Sequence, residues 1–138
     1  MKVAIVGSRQ MSRYGQEMIG ELMSEIGGKF EVVTVDVAGC NREVGRLGGK
    51  LIPIERGNFE LVNEKLAQLA DQLIVIEGGE RSGTRLVAEK FLDLGKPVWA
   101  VPGRVGEPGS WMTNWLIGQG AIPLFDLTDL ARRLTEVV

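Results

Sequence analysis

Two glycine-containing loops carry the residue types in this chain that could do chemistry. Gly7-Ser8-Arg9 follows the apolar run ending at Val6, and Gly78-Gly79-Glu80-Arg81-Ser82-Gly83-Thr84 follows Gln72–Ile76. A glycine directly after a strand lets the backbone approach an anion, and the helix that follows aims free N–H groups at it. Ser82 and Thr84 add hydroxyls where that helix would begin. Arginine adds a planar fork matched to phosphate oxygens. The chemistry implied is recognition of a phosphate-bearing ligand. Each loop also reads as a plain tight strand-to-helix turn.

Arginine placement extends the first of these readings. Arg9, Arg13, Arg42, Arg46, Arg56, Arg81, Arg85 and Arg104 fall in loops or helix starts after successive strand candidates, and only Arg132 and Arg133 lie elsewhere. Lysine is absent from these positions except for Lys50. The net charge is −2 and the pI is near 5.3. An acidic protein with a basic rim suits a focused anionic ligand rather than a general coating of nucleic acid.

Several chemistries are excluded. The chain has no histidine, so a Ser-His-Asp triad and His-ligated metal sites are impossible. The spacing from Gly7 to Gly15 is not Gly-x-Gly-x-x-Gly, and no Gly-Lys-Ser/Thr occurs, which leaves dinucleotide and P-loop readings unsupported. No cofactor or metal is expected. The single cysteine, Cys40, rules out an internal disulfide and fits a reducing compartment. No apolar run reaches membrane-spanning length, and Met1 leads directly into a strand pattern without a signal peptide. The expectation is a cytoplasmic protein that does not engage a membrane.

The elements that must position these loops follow from periodicity. At 138 residues there is room for one domain with a substantial core, taken as residues 1–138. The 19 glycines are about twice the average share, and suit a fold with many strand-to-helix turns. Strands are expected at Lys2–Val6, Glu31–Asp36, Lys50–Ile54, Gln72–Ile76, Pro97–Val101 and Ala121–Leu124. Helices are expected at Ser12–Ile26, Asn58–Ala70, Ser82–Leu94, Trp111–Gly118 and Leu127–Val138, with a short helical turn within Val37–Gly49. Ser12, Asn58 and Asp126 are candidate N-caps, and Gly27-Gly28 should stop the first helix. This alternation predicts an α/β, Rossmann-like open sheet, mainly parallel, with helices on both faces. Ligands of such sheets sit at the carboxyl ends of the strands.

The order of motifs resembles the DprA/Smf DNA-processing family. Val3-Ala4-Ile5-Val6-Gly7-Ser8-Arg9 with Ser12 and Tyr14-Gly15 is similar to its opening, and Gly57-Asn58-Phe59 with Asn63 to its central segment. Arg81-Ser82-Gly83-Thr84, Ala100-Val101-Pro102-Gly103, Ser110, Asn114, Leu116-Ile117 and Gly120-Ala121 follow its distal half. The resemblance implies a non-catalytic domain that binds single-stranded DNA, forms homodimers and helps load the RecA recombinase. Carried over, the DNA contacts would be Gly7, Ser8, Arg9, Asn58, Phe59, Arg81, Ser82 and Gly83. Phe59 would stack on a base or pack in the core. The family's Ser-Gly-x-Ala-x-Gly-Ile-Asp segment is degenerate around Val35–Asn41, and the stretch before Gly-Asn-Phe is short, so a smaller contact surface is expected.

Other readings stay open. The same superfamily contains LOG-type nucleotide phosphoribohydrolases, which need a carboxylate near the ribose. Glu77, Glu80 and Glu89 are candidates for that role, while Glu77 and Glu80 also read as solvated loop carboxylates. A sensor of a nucleotide-derived signal is the third reading. Trp111 and Trp115, four residues apart on one short helix, either pack on the sheet or form a self-association surface.

Overall fold

A computed structural model describes residues 1–137. Six strands form one fully parallel sheet: β1 (Lys2–Val6), β2 (Glu31–Val35), β3 (Lys50–Ile52), β4 (Gln72–Val75), β5 (Val98–Ala100) and β6 (Ile122–Pro123). Their order is β3-β2-β1-β4-β5-β6. The helices are α1 (Arg13–Ile26), α2 (Cys40–Arg46), α3 (Phe59–Leu69), α4 (Thr84–Asp93), α5 (Trp111–Gly118) and α6 (Leu130–Val137). A 3-10 turn, Pro108–Ser110, precedes α5.

Strand alternation divides the core into two layers. Val3, Ile5, Ile74, Ile76 and Trp99 face α1, α2 and α6, meeting Ile19, Leu22, Cys40, Val44 and Leu130. Ala4, Val6, Leu73, Val75 and Ala100 face α3, α4 and α5, meeting Leu66, Ala88, Phe91 and Met112. Both faces of β1 and β4 are therefore buried, which explains why these strands read as unbroken apolar runs. A fully buried polar side chain at the start of β4 is satisfied at both ends. Gln72 accepts from the Trp99 indole N–H at 2.7 Å and donates to the Leu134 carbonyl, tying β4, β5 and α6 together.

The expected caps are present at α1 and α3. Ser12 Oγ accepts the Gly15 N–H at 3.0 Å, and Asn58 Oδ1 accepts the Leu61 N–H at 3.0 Å. Each such cap is worth about 1 kcal/mol. Lys96 closes the other end of α3 by donating to the carbonyls of Ala67 and Ala70 at 2.6 and 2.8 Å.

Three expectations are corrected. The last helix does not begin at Leu127 under an Asp126 cap. Asp126 Oδ1 accepts the Thr128 N–H, Asp129 takes a φ of 54°, and this left-handed residue delays α6 to Leu130. Val138, the expected end of that helix, lies outside the described residues. The fourth helix starts at Thr84 rather than Ser82, because Ser82 turns its hydroxyl onto the Thr84 hydroxyl at 2.9 Å and onto the Thr84 N–H. Finally, α1 ends with Gly27 still right-handed, φ −60°, so a left-handed glycine cap is not what stops it.

Candidate functional site at the carboxyl edge of the sheet

The strand order reverses between β1 and β4, and the loops leaving these two strands diverge there to opposite faces. One is the Gly7-Ser8-Arg9 loop and the other the Glu77–Gly83 loop, so both candidate cradles border a single crevice. The structure thus brings together two segments some seventy positions apart in the chain.

The first loop is anchored from beneath. Gly7 N–H donates to Asn41 Oδ1 at 3.0 Å, and Asn41 Nδ2 donates to the Val35 carbonyl, joining the ends of β1 and β2. A Cβ on Gly7 would lie 2.8 Å from Cys40 Cβ and Sγ. Gly7 therefore contributes close packing, and its N–H is already committed inside the protein. The same holds for Gly78, whose N–H donates to the Gly109 carbonyl at 2.8 Å and whose carbonyl accepts the Met112 N–H at 2.9 Å. Beside them, the N–H groups of Ser8, Arg9, Gly79 and Arg81 donate to no protein acceptor among the described residues. The backbone donors offered to a ligand lie one to three residues beyond Gly7 and Gly78.

Glu77 holds the floor of the crevice. Only 4% of its surface is exposed, so it is not a solvated loop carboxylate. Its Oε2 accepts the Ser12 N–H at 2.7 Å and its Oε1 accepts the Ser12 hydroxyl at 2.5 Å. Ser12 in turn caps α1, so one carboxyl group at the end of β4 fixes the start of the helix that follows β1. Gly15 makes the space for it, since a Cβ there would stand 2.3 Å from Oε2. Glu77, Asn41 and Gly15 were not legible as a unit. The available signal was an acid directly after a buried strand, facing a chain with Ser12 and Gly15 spaced as a cap.

Cys40 lies against the same carboxylate, its Sγ 3.6 Å from Oε2. Burial, and then the Glu77 charge, push its thiol up to about 12. The unfolded thiol titrates near 9. Between these values the unfolded chain has lost a proton that the folded protein keeps, so the fold is favoured fully below pH 9 and less as pH climbs toward 12. Stability should fall by up to about 1.4 kcal/mol per pH unit in that window. Urea midpoints from pH 8 upward test this, and Cys40→Ala should remove that part of the decline. Tyr14, whose hydroxyl donates to the Pro102 carbonyl at 2.9 Å, is also raised by burial and by Glu77 and Glu21.

The eight rim arginines separate into two groups. Arg13 pairs with Glu17, Arg42 with Asp36, Arg46 with Glu43 and Arg85 with Glu89. Arg46 is bidentate, 2.7 and 2.8 Å, and holds the Glu43 carboxyl below the usual carboxylate range. These four are structural partners rather than open phosphate forks. Arg9, Arg56, Arg81 and Arg104 are exposed and make no ion pair among the described residues.

Arg9 joins the first loop to the Gly57-Asn58-Phe59 segment, its guanidinium 5.0 Å from the centre of the Phe59 ring. Phe59 is 43% exposed and belongs to neither core layer. Asn58 spends its carbonyl oxygen on the α3 cap, which leaves its amide group for other contacts. Just ahead, Arg56 and Gly57 take φ of 53° and 68°, closed by the Asn58 N–H to Glu55 carbonyl bond at 3.0 Å. A non-glycine residue held at positive φ costs about 1 kcal/mol or more, strain of a kind concentrated at binding loops. Across the crevice, Ser82 and Thr84 crowd over Gly78, whose Cβ would meet Ser82 Oγ at 2.8 Å. Gly79 lies beside the Pro108 carbonyl, and Arg81 and Gly83 are exposed. The rim thus combines unpaired guanidinium groups, free N–H groups and an exposed aromatic ring, groups of the types suited to phosphates and bases.

Comparison with known proteins gives this set a family. Residues 50–135 match the model of the DNA recombination-mediator protein A family, a span that includes the Phe59 and Arg81 loops but not Gly7-Ser8-Arg9. Protein Smf of Escherichia coli (strain K12) is 36% identical over 77 residues, covering 56% of this chain and 21% of that protein. DNA processing protein DprA of Bacillus subtilis (strain 168) is 24% identical, covering 98% of this chain and 59% of the relative. The chain therefore spans less than two thirds of either relative. The structure of DNA processing protein A from Helicobacter pylori, described for that protein's single-stranded DNA binding mode, superposes with a TM-score of 0.82. It is 19% identical, and the match covers 99% of this chain and 80% of that one. With more than half of its length matched to the family model and its motifs in family order, the chain belongs to the DNA recombination-mediator protein A (DprA/Smf) family.

Proposed function

We propose that this domain binds single-stranded DNA non-catalytically across the β1/β4 crevice, with phosphates on Arg9 and Arg81 and a base against Phe59. The observation that carries this reading is the Arg9–Phe59 pair, an unpaired guanidinium lying over an exposed ring at 5.0 Å. Single-strand binders combine such cations with aromatic faces. Ser8, Gly79, Ser82, Gly83 and Thr84 shape the two walls, while Gly7 and Gly78 set their closeness. The homodimer and recombinase partner implied by the resemblance belong to the same reading, and the exposed Leu86, Leu92 and Leu94 offer apolar surface for such contacts. No helix among the described residues is long and apolar enough to cross a membrane.

Binding is favoured over N-glycosidic hydrolysis because the candidate carboxylates are otherwise engaged. Both Glu77 oxygens are held by Ser12, and Glu89 is ion-paired with Arg85. Of the three candidates, Glu80 is the one that is exposed and without an ion pair among the described residues. The test is a titration with labelled oligothymidylate at rising salt. The expected logarithmic slope is about −0.7 per phosphate engaged, hence −2 or steeper for three or more contacts. A thymidine mononucleotide that competes on equal terms, with a slope no steeper than one contact predicts, would point to a compact nucleotide ligand instead.

A further inference from the structure

Trp111 opens α5, belongs to neither core layer, and leaves 37% of its surface exposed. Its ring is stacked on that of Trp115, with centroids 6.1 Å apart and planes within 10° of parallel. Trp115 packs against the α3–α5 core layer and also carries the Arg85 guanidinium 4.5 Å from its ring centre. Arg85 is in turn held by Glu89 at 2.9 Å. The planar groups are thus fixed from the core outward, and the series ends on an indole with open surface. Folding orders this ring in advance, so a ligand meets it with little further loss of freedom.

Its neighbours include two unpaired arginines, in segments that also carry the exposed Glu80 and Glu107. The two backbone hydrogen bonds of Gly78, to Gly109 and from Met112, hold the start of α5 against the loop that carries Arg81. Arg104 lies just ahead of the 3-10 turn leading into α5, where its carbonyl accepts the Glu107 N–H. Neither Arg81 nor Arg104 has an ionic partner among the described residues. An open indole held beside the crevice, with two unpaired guanidinium groups in the adjoining segments, suits a base with its phosphates.

Resting on the binding reading above, we propose that Trp111 is a second base-stacking platform, which carries the single strand from the β1/β4 crevice across the start of α5. Phe59 and Trp111 then receive bases on the two sides of the crevice, and Arg81 takes a phosphate between them. Because every base has a π-face, the contact adds affinity without sequence preference.

The experiment compares Trp111→Ala and Trp111→Phe in the full chain, using oligothymidylate and an abasic deoxyribose-phosphate strand of equal length. Trp111→Ala should weaken oligothymidylate binding about tenfold, leaving abasic-strand affinity and the salt slope unchanged. Trp111→Phe should stay within about threefold of the parent chain, because the aromatic face survives. If alanine disturbs α5, Trp111→Leu carries the same expectation, since it keeps apolar contact with Trp115 but no aromatic face. Unchanged oligothymidylate affinity in Trp111→Ala, an equal loss for the abasic strand, or a change in sedimentation mass without loss of affinity would each overturn the stacking role. Failure of the parent chain to bind either strand is a different result and removes the binding reading itself.

Discussion

Replacing Glu77 with alanine should lower the melting temperature by roughly 7–14 °C, the equivalent of about 2–4 kcal/mol in a domain of this size. The substitution strips the Ser12 N–H and hydroxyl of their acceptors and leaves a space under the start of α1. Hydrogen bonds to a charged group contribute about 1.5–3 kcal/mol, and the vacated volume adds to that. The neighbouring Gly15 supplies a sharper check. Glycine to alanine inside a helix ordinarily stabilises by about 1 kcal/mol. Here the new Cβ would stand 2.3 Å from Glu77 Oε2, and the side chain it displaces is pinned by two hydrogen bonds. Gly15→Ala should therefore destabilise the parent protein by about 1–3 kcal/mol. In the Glu77→Ala background the clash is gone, and the same change should become neutral or stabilising. Thermal or urea denaturation of the four proteins gives the coupling directly. An equal effect of Gly15→Ala in both backgrounds would show that the contact with Glu77 is not what excludes a side chain there.

Replacing Arg9 and Arg81 together should weaken oligothymidylate binding about a hundredfold, while the melting temperature stays within about 2 °C of the parent. Each guanidinium is exposed, neither is in an ion pair among the described residues, and each would give a charge-assisted contact worth about tenfold. Loss of a phosphate contact should also reduce the salt slope by about 0.7 for each arginine. Arg9→Ala alone carries a second consequence, because it uncovers Phe59. Its affinity loss should accordingly differ from that of Arg81→Ala, which leaves the ring covered. A melting temperature lowered as far as in Glu77→Ala would instead assign Arg9 to the fold.

These two results address opposite kinds of residue, and the difference explains what was legible beforehand. Strand positions along β1 and β4 could be read because both of their faces are covered, which demands unbroken apolar runs. Ser12 and Asn58 could be read as caps because capping acts over three residues. The end effects of α4 and α6 could not, since Ser82 and Asp126 can satisfy neighbouring N–H groups in more than one local geometry.

At the site the same boundary falls between local and distant interactions. Loops after strands, rich in glycine and arginine, marked the carboxyl edge as the expected place for anion-binding groups. Three of the engaged arginines sit in helix pairs three or four residues apart, Arg13–Glu17, Glu43–Arg46 and Arg85–Glu89, which spacing can suggest, but that Arg9 and Arg81 stay unpaired could not be read. Nor could the exposure of Phe59, which depends on where α3 lies relative to Arg9.

By itself, then, the sequence determined the alternation of elements, the parallel sheet that the alternation forces, and the family to which the motifs belong. Tertiary structure alone decided that Glu77 anchors Ser12 rather than facing solvent. It also decided that Gly7 and Gly78 hold their N–H groups inside, and that Trp111 keeps an open face. Periodicity and capping are set within a turn or two of chain, where side-chain type is enough. Committed donors and exposed rings depend on contacts such as Ser12 with Glu77, 65 positions apart, which exist only once the sheet has formed.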